Sequence, residues 1–94
     1  GLLTSCEKPI IEFQLIADGQ HRTLTLYRDS TFVEQIRDTV DVHTYSGTWA
    51  GDIQEGTTFE TLATSRDGEI ITMTPMHKYR IAKGRAVEVV ISGQ

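Results

Sequence analysis

Turn residues recur about every ten positions along this chain, and between them apolar side chains alternate with polar ones at a period of two. No segment carries the 3.6-residue period of a helix. That rhythm confines the chain to an all-β fold, an antiparallel meander of about eight short strands. The first hairpin shows it most clearly. Ile11, Phe13 and Leu15 share one face, with Glu12 and Gln14 on the other. Asp18-Gly19 is the dipeptide preferred by a two-residue type I′ turn. Folding about it sets Phe13 against Leu24 and Ile11 against Leu26, while Glu12 and Gln14 meet Thr25 and Thr23. A one-residue slip would spoil both faces at once.

The remaining strands follow in order. Thr31 to Arg37 is expected as the third, and Asp38-Thr39 as a two-residue turn into a central strand from Val40 to Ala50. In that register Phe32 lies opposite Tyr45, Glu34 opposite His43 and Ile36 opposite Asp41. The central strand carries the only tryptophan, Trp49, expected to plug the interior, and Gly47 leaves room on the same face for another backbone or ring. Thr58 to Thr64 follows a polar, Gly-rich loop, and Phe59 and Leu62 compete there for the interior, which predicts a bulge or an edge. After the turn Ser65 to Gly68 comes a short strand from Glu69 to Thr74, and Pro75 marks a strand boundary. The last hairpin runs from His77 to Ile91. A three-residue loop, Lys83-Gly84-Arg85, pairs Ile81 with Val87, Tyr79 with Val89 and Arg80 with Glu88. A two-residue loop would oppose Tyr79 to Glu88 and mismatch the faces. Ser92 to Gln94 reads as a fraying tail. Closing the meander into a barrel removes its exposed edges, with Phe13, Phe32, Gly47 and Trp49 as structural core.

At 94 residues the chain has enough material for one core without disulfides or metals. Its net charge of −4 argues against a general nucleic-acid binder, which needs a basic surface to displace counterions. A single cysteine, Cys6, rules out an internal disulfide, a two-cysteine redox pair and a Cys-rich zinc site. No apolar run reaches the length of a membrane span.

Residues 1–9 differ in character from the rest, so the expected division is a lipobox remnant and flexible tether over 1–9 and one barrel domain over 10–94. Leu3-Thr4-Ser5-Cys6 resembles a bacterial lipobox: an aliphatic residue, two small residues, then cysteine. That resemblance implies lipidation at Cys6 and a domain hung from the bacterial cell envelope by acyl chains, facing the periplasm or the surface.

Leu24-Thr25-Leu26-Tyr27-Arg28-Asp29-Ser30-Thr31-Phe32, followed by Gly47-Thr48-Trp49-Ala50-Gly51-Asp52, resembles the pattern of small lipocalin-like envelope lipoproteins of bacteria. Lys78-Tyr79-Arg80-Ile81 with its glycine turn and apolar last strand is also similar. The likeness extends to the N-terminal β-barrel of copper-homeostasis lipoproteins of the NlpE type. It implies a small lipocalin-like β-barrel. The Cys-x-x-Cys pair of that family has no counterpart here, so copper or redox function does not carry over.

His21, His43 and His77 lack metal-ligand spacing, and the Asp-Gly turns sit in hairpins rather than at strand-to-helix junctions. No cofactor or catalytic residue is expected. The sharpest polar feature is Glu34 opposite His43, which point inward if Phe32 and Trp49 do. With Tyr45 they form the expected ligand site at the barrel mouth. The functional expectation is a non-enzymatic binding or sensing module for a small apolar ligand or an envelope protein. The alternative is a structural or assembly lipoprotein whose barrel is filled by its own side chains.

Overall fold

The computed structural model describes residues 8–17, 19–73 and 75–89. Eight strands follow in chain order: β1 (Pro9–Ala17), β2 (Gln20–Tyr27), β3 (Thr31–Arg37), β4 (Val42–Gly51), β5 (Thr58–Arg66), β6 (Glu69–Ile70), β7 (Met76–Ala82) and β8 (Arg85–Glu88). Every ladder is antiparallel and the sheet curls into a nearly closed barrel. Asp18, Thr74, the Cys6 segment and Ile91 with the tail beyond it, on which several expectations rested, lie outside the described residues.

The β1–β2 register is the expected one, with Phe13 opposite Leu24 and Ile11 opposite Leu26. The β3–β4 register differs from expectation by two residues: Phe32 faces Gly47, Glu34 faces Tyr45 and Ile36 faces His43. The cause is Asp38. Its Oδ1 accepts the amides of Val40 at 2.8 Å and Asp41 at 2.7 Å, and its own N–H donates to the Asp41 carbonyl at 3.0 Å. That Asx turn enlarges the loop to Asp38–Asp41. A slip of two preserves which side chains face inward, so Phe32 and Tyr45 remain on the core side.

Gly47 is obligatory for a different reason. Between Ser46 and Gly47 the β4–β5 register jumps from Ser65 to Ala63, leaving Thr64 as a bulge. This presses β5 onto β4 so closely that a Cβ on Gly47 would stand 2.0 Å from the Leu62 carbonyl oxygen. Phe59, Thr61 and Ala63 turn inward, and Leu62, their competitor in the sequence, is only half-buried.

The expected strand Glu69–Thr74 is reduced to β6, and β6 and β7 occupy the same edge of β5. Ile70 pairs with Ser65, and Met76 to Arg80 pair with Leu62 to Thr58. Near the ends of the stretch between them, Ile71 N–H donates to the Thr64 carbonyl at 3.1 Å and Ala63 N–H to the Pro75 carbonyl at 3.0 Å. The sheet therefore has seven lanes, one of them interrupted. An odd count of antiparallel lanes makes β1 and β8 run in the same direction. They lie side by side with no ladder between them among the described residues.

The last hairpin also departs from expectation. Its loop has two residues, Lys83 and Gly84, both left-handed at φ 56° and 74°, the type I′ pattern that matches strand twist. The Glu55 carboxylate accepts both of their amides, at 2.7 and 3.3 Å. Ile81 thus meets Ala86, and Tyr79 meets Glu88.

The core is an aromatic column. Phe13 stacks on Phe59 at 5.7 Å, and Phe59 on Tyr79 at 5.2 Å. Tyr79, wholly buried, is the central plug rather than Trp49. Trp49 is half-buried at the far end, where it meets Phe59 edge-on at 6.4 Å. Its indole N–H donates to the Tyr27 carbonyl at 2.8 Å, tying β4 to the β2–β3 turn. Phe13 of β1 reaches Phe59 of β5 through the interior, so this stack ties the first lane to the middle of the sheet.

Candidate functional site

Above the aromatic column the interior turns polar. Arg22 shares the inward face of β2 with Leu24 and Leu26, which brings its guanidinium inside near the mouth. There its Nε donates to Glu34 Oε2 at 2.7 Å, and Nη2 lies 2.6 Å from the same oxygen. Nη2 also donates to the Tyr79 hydroxyl at 2.6 Å, and Nη1 to Glu88 Oε1 at 3.3 Å. The second Glu88 oxygen lies 2.7 Å from His77 Nδ1. Five side chains from four lanes form one network, which the two-residue β7–β8 loop makes possible by turning Glu88 inward.

Burial by itself would disfavour the Arg22 charge, yet the Glu34 charge, the Tyr79 hydroxyl and the bonds to Glu34 and Glu88 raise its pKa above the usual guanidinium value. Burial likewise raises the Tyr79 phenol, and the Glu34 charge raises it further, so the hydroxyl stays neutral. At Glu88 burial is opposed by the His77 hydrogen bond and then by Arg22, and the net direction is downward. Glu88 is thus an ionised acceptor.

A cavity of about 300 Å³ opens over this network. Phe32, Ile36, Tyr45, Ala63 and Pro75 give it apolar walls, and Gln20, Arg22, Glu34, Thr61 and His77 give it polar ones. Glu34 is only 4% exposed. Its Oε2 is held by Arg22, while Oε1 takes no hydrogen bond among the described residues. No buried side-chain nitrogen or oxygen among them lacks a partner, so Oε1 is not sealed in the wall. It faces the cavity that Glu34 lines.

Of the expected site residues, Glu34 and Tyr45 line this cavity, directly opposite each other on β3 and β4. His43 does not join them. The two-residue register difference carries it to the rim, where Nδ1 lies 2.8 Å from Asp67 Oδ2. That bond and the Thr44 amide hold the Asp67 carboxyl below the usual range. Arg22, Tyr79, His77 and Glu88 were missed by the sequence reading. Arg22 was accessible to it, because strict alternation places position 22 on the face of Leu24 and Leu26. Among the described residues no three His, Cys, Asp or Glu side chains gather closely enough to hold a metal ion. Cys6, the expected lipidation site, lies outside the described residues.

Family models, curated proteins and solved structures were all compared with this chain, and none matches.

Proposed function

We propose that this chain is a non-enzymatic binding module of the bacterial cell envelope, anchored through a lipid on Cys6, that takes a small ligand at the barrel mouth. The observation that carries the binding reading is the division of the interior. Its lower part is filled by Phe13, Phe59 and Tyr79, whereas its upper part is a cavity with apolar walls and a charged floor. A cavity that exposes one oxygen of a buried carboxylate suits orientation of a polar group, with the apolar walls supplying affinity.

A second reading, docking of an envelope protein, is favoured by the exposed apolar side chains of Val40, Val42, Ile70 and Met73 around the same end. Backbone amide shifts during titration with a mixed fragment library test the first. Shifts centred on Glu34, Ile36, Tyr45 and His77, with the Trp49 indole signal unmoved, are the expected result. Shifts confined to Ile70, Met73 and Val40 favour the docking reading, and none at the mouth removes the cavity as a ligand site.

A further inference from the structure

The charge and hydrogen-bonding character of the mouth restrict what it takes. This step rests on the binding reading above. The network contains two carboxylates, Glu34 and Glu88, against one guanidinium, Arg22. Arg22 is already committed through Nε, Nη1 and Nη2 to Glu34, Glu88 and Tyr79. Most of its donors are therefore engaged within the wall, and one N–H of Nη1 is left over. Glu34 Oε1 is the complementary case, an acceptor with no protein donor among the described residues. His77, with Nδ1 bonded to Glu88, and Thr61, with its hydroxyl, complete the polar lining with Gln20.

We propose that the mouth cavity selects small primary amines carrying an apolar or aromatic body. The ammonium group donates to Glu34 Oε1, and the body lies against Phe32, Ile36 and Tyr45. An ammonium has three donors and no acceptor, which fits the free Glu34 Oε1. It also sets a positive charge against the Glu34 carboxylate, whereas a carboxylate ligand would set a second negative charge beside it. The aromatic faces of Phe32 and Tyr45 on the same cavity tolerate a cation better than an anion. The volume of about 300 Å³ sets the scale at a compact molecule, a single ring with a short chain rather than a lipid.

The test compares three probes of one shape, 2-phenylethylammonium, 2-phenylethanol and 3-phenylpropionate, by calorimetry and amide shifts on the whole chain at neutral pH. The amine is expected to bind at least about ten-fold more tightly than the other two. Glu34→Gln, which keeps an oxygen for Arg22 but removes the charge, should bring amine and alcohol to similar affinity while Trp49 emission stays native. Equal affinities for all three on the unaltered protein, or a preference for the carboxylate, overturn amine selection and leave the cavity a general ligand site. Failure of every probe to shift a mouth amide overturns amine selection and removes support for the binding reading as well. The unaltered-protein series decides the matter even if the Glu34 variant does not fold.

Discussion

Tyr79 stands directly opposite Glu88 across the β7–β8 hairpin, and Arg22, entering from β2, donates to both. The pairing sets a ring from the hydrophobic column beside a carboxylate at the mouth, so the boundary between the packed and polar halves of the barrel falls within one residue pair. It also couples strands remote in sequence, because Arg22 and Glu88 are 66 positions apart.

Replacing Arg22 by methionine should therefore be among the most damaging single changes. Glu34 would keep its charge in a buried site without its partner, a situation that costs about 3–5 kcal/mol. Urea unfolding measures the loss. The double variant Arg22→Met/Glu34→Met should be appreciably more stable than Arg22→Met alone, since the orphaned charge is gone. Simple addition of the two single costs would show that the pair is not coupled.

Gly47→Ala tests the bulged crossing of β4 and β5. With the Leu62 carbonyl 2.0 Å from the new Cβ, backbone rather than a flexible side chain has to give way. Overpacking of this kind costs about 1–3 kcal/mol, and contact with backbone puts Gly47 at the upper end. Thermal unfolding of the alanine variant near the wild-type midpoint would show that β5 lies farther from β4 than described.

Trp49→Phe retains most of the ring packing and removes the N–H bond to the Tyr27 carbonyl, for an expected loss of about 1 kcal/mol. Trp49→Ala should cost about 2–3 kcal/mol, less than for a fully enclosed aromatic because the ring is half-buried. Native emission should be intermediate between that of a solvated and an enclosed indole. A fully red-shifted native spectrum argues against the bond to Tyr27.

Acid should weaken the barrel through Glu88. Its pKa is lower folded than unfolded, despite the burial that opposes it, because of His77 and Arg22. A depressed carboxylate stabilises the fold fully above its unfolded pKa, and that contribution is lost as pH falls through the folded value. The loss therefore lies below the ordinary glutamate range. Glu88→Gln should flatten the acid limb of a plot of stability against pH; an unchanged limb assigns the acid sensitivity elsewhere, for instance to Asp38 or Asp67, which are also depressed.

Lipidation is tested on a longer precursor with a complete signal segment, expressed in bacteria with labelled fatty acid. Wild type should take up label and Cys6→Ser should not. Equal incorporation in both removes the anchor from the proposal, and the barrel should fold alike in either case.

How much of this the sequence disclosed varied with how local the deciding interaction was. The β1–β2 register was legible because the Asp18-Gly19 turn and the alternation of Ile11, Phe13 and Leu15 against Glu12 and Gln14 give the same answer. The β3–β4 register was not, because a single acceptor, Asp38 Oδ1, captures two amides and lengthens the loop, which strand periodicity does not encode. For β7–β8 the rule that charges face outward led to the wrong loop. Glu88 faces inward because Arg22 and His77 await it there, and both lie far from it along the chain or across a hairpin. The same long-range partnership hid the site: Glu34 was singled out, but its partner is Arg22 on the neighbouring strand rather than His43.

The like direction of β1 and β8 decides how the barrel is presented to whatever it is attached to. β1 begins at Pro9, opposite Tyr27 and close to the Trp49 end, whereas β8 finishes at Glu88 beside the mouth. A tether entering at Pro9 consequently grips the barrel by its base and leaves the opening at the distal pole, turned away from the surface that holds the tether. Anything joined beyond Val89 would instead emerge at the lip and overhang the opening, so a fusion partner or tag on that side is the one positioned to obstruct it.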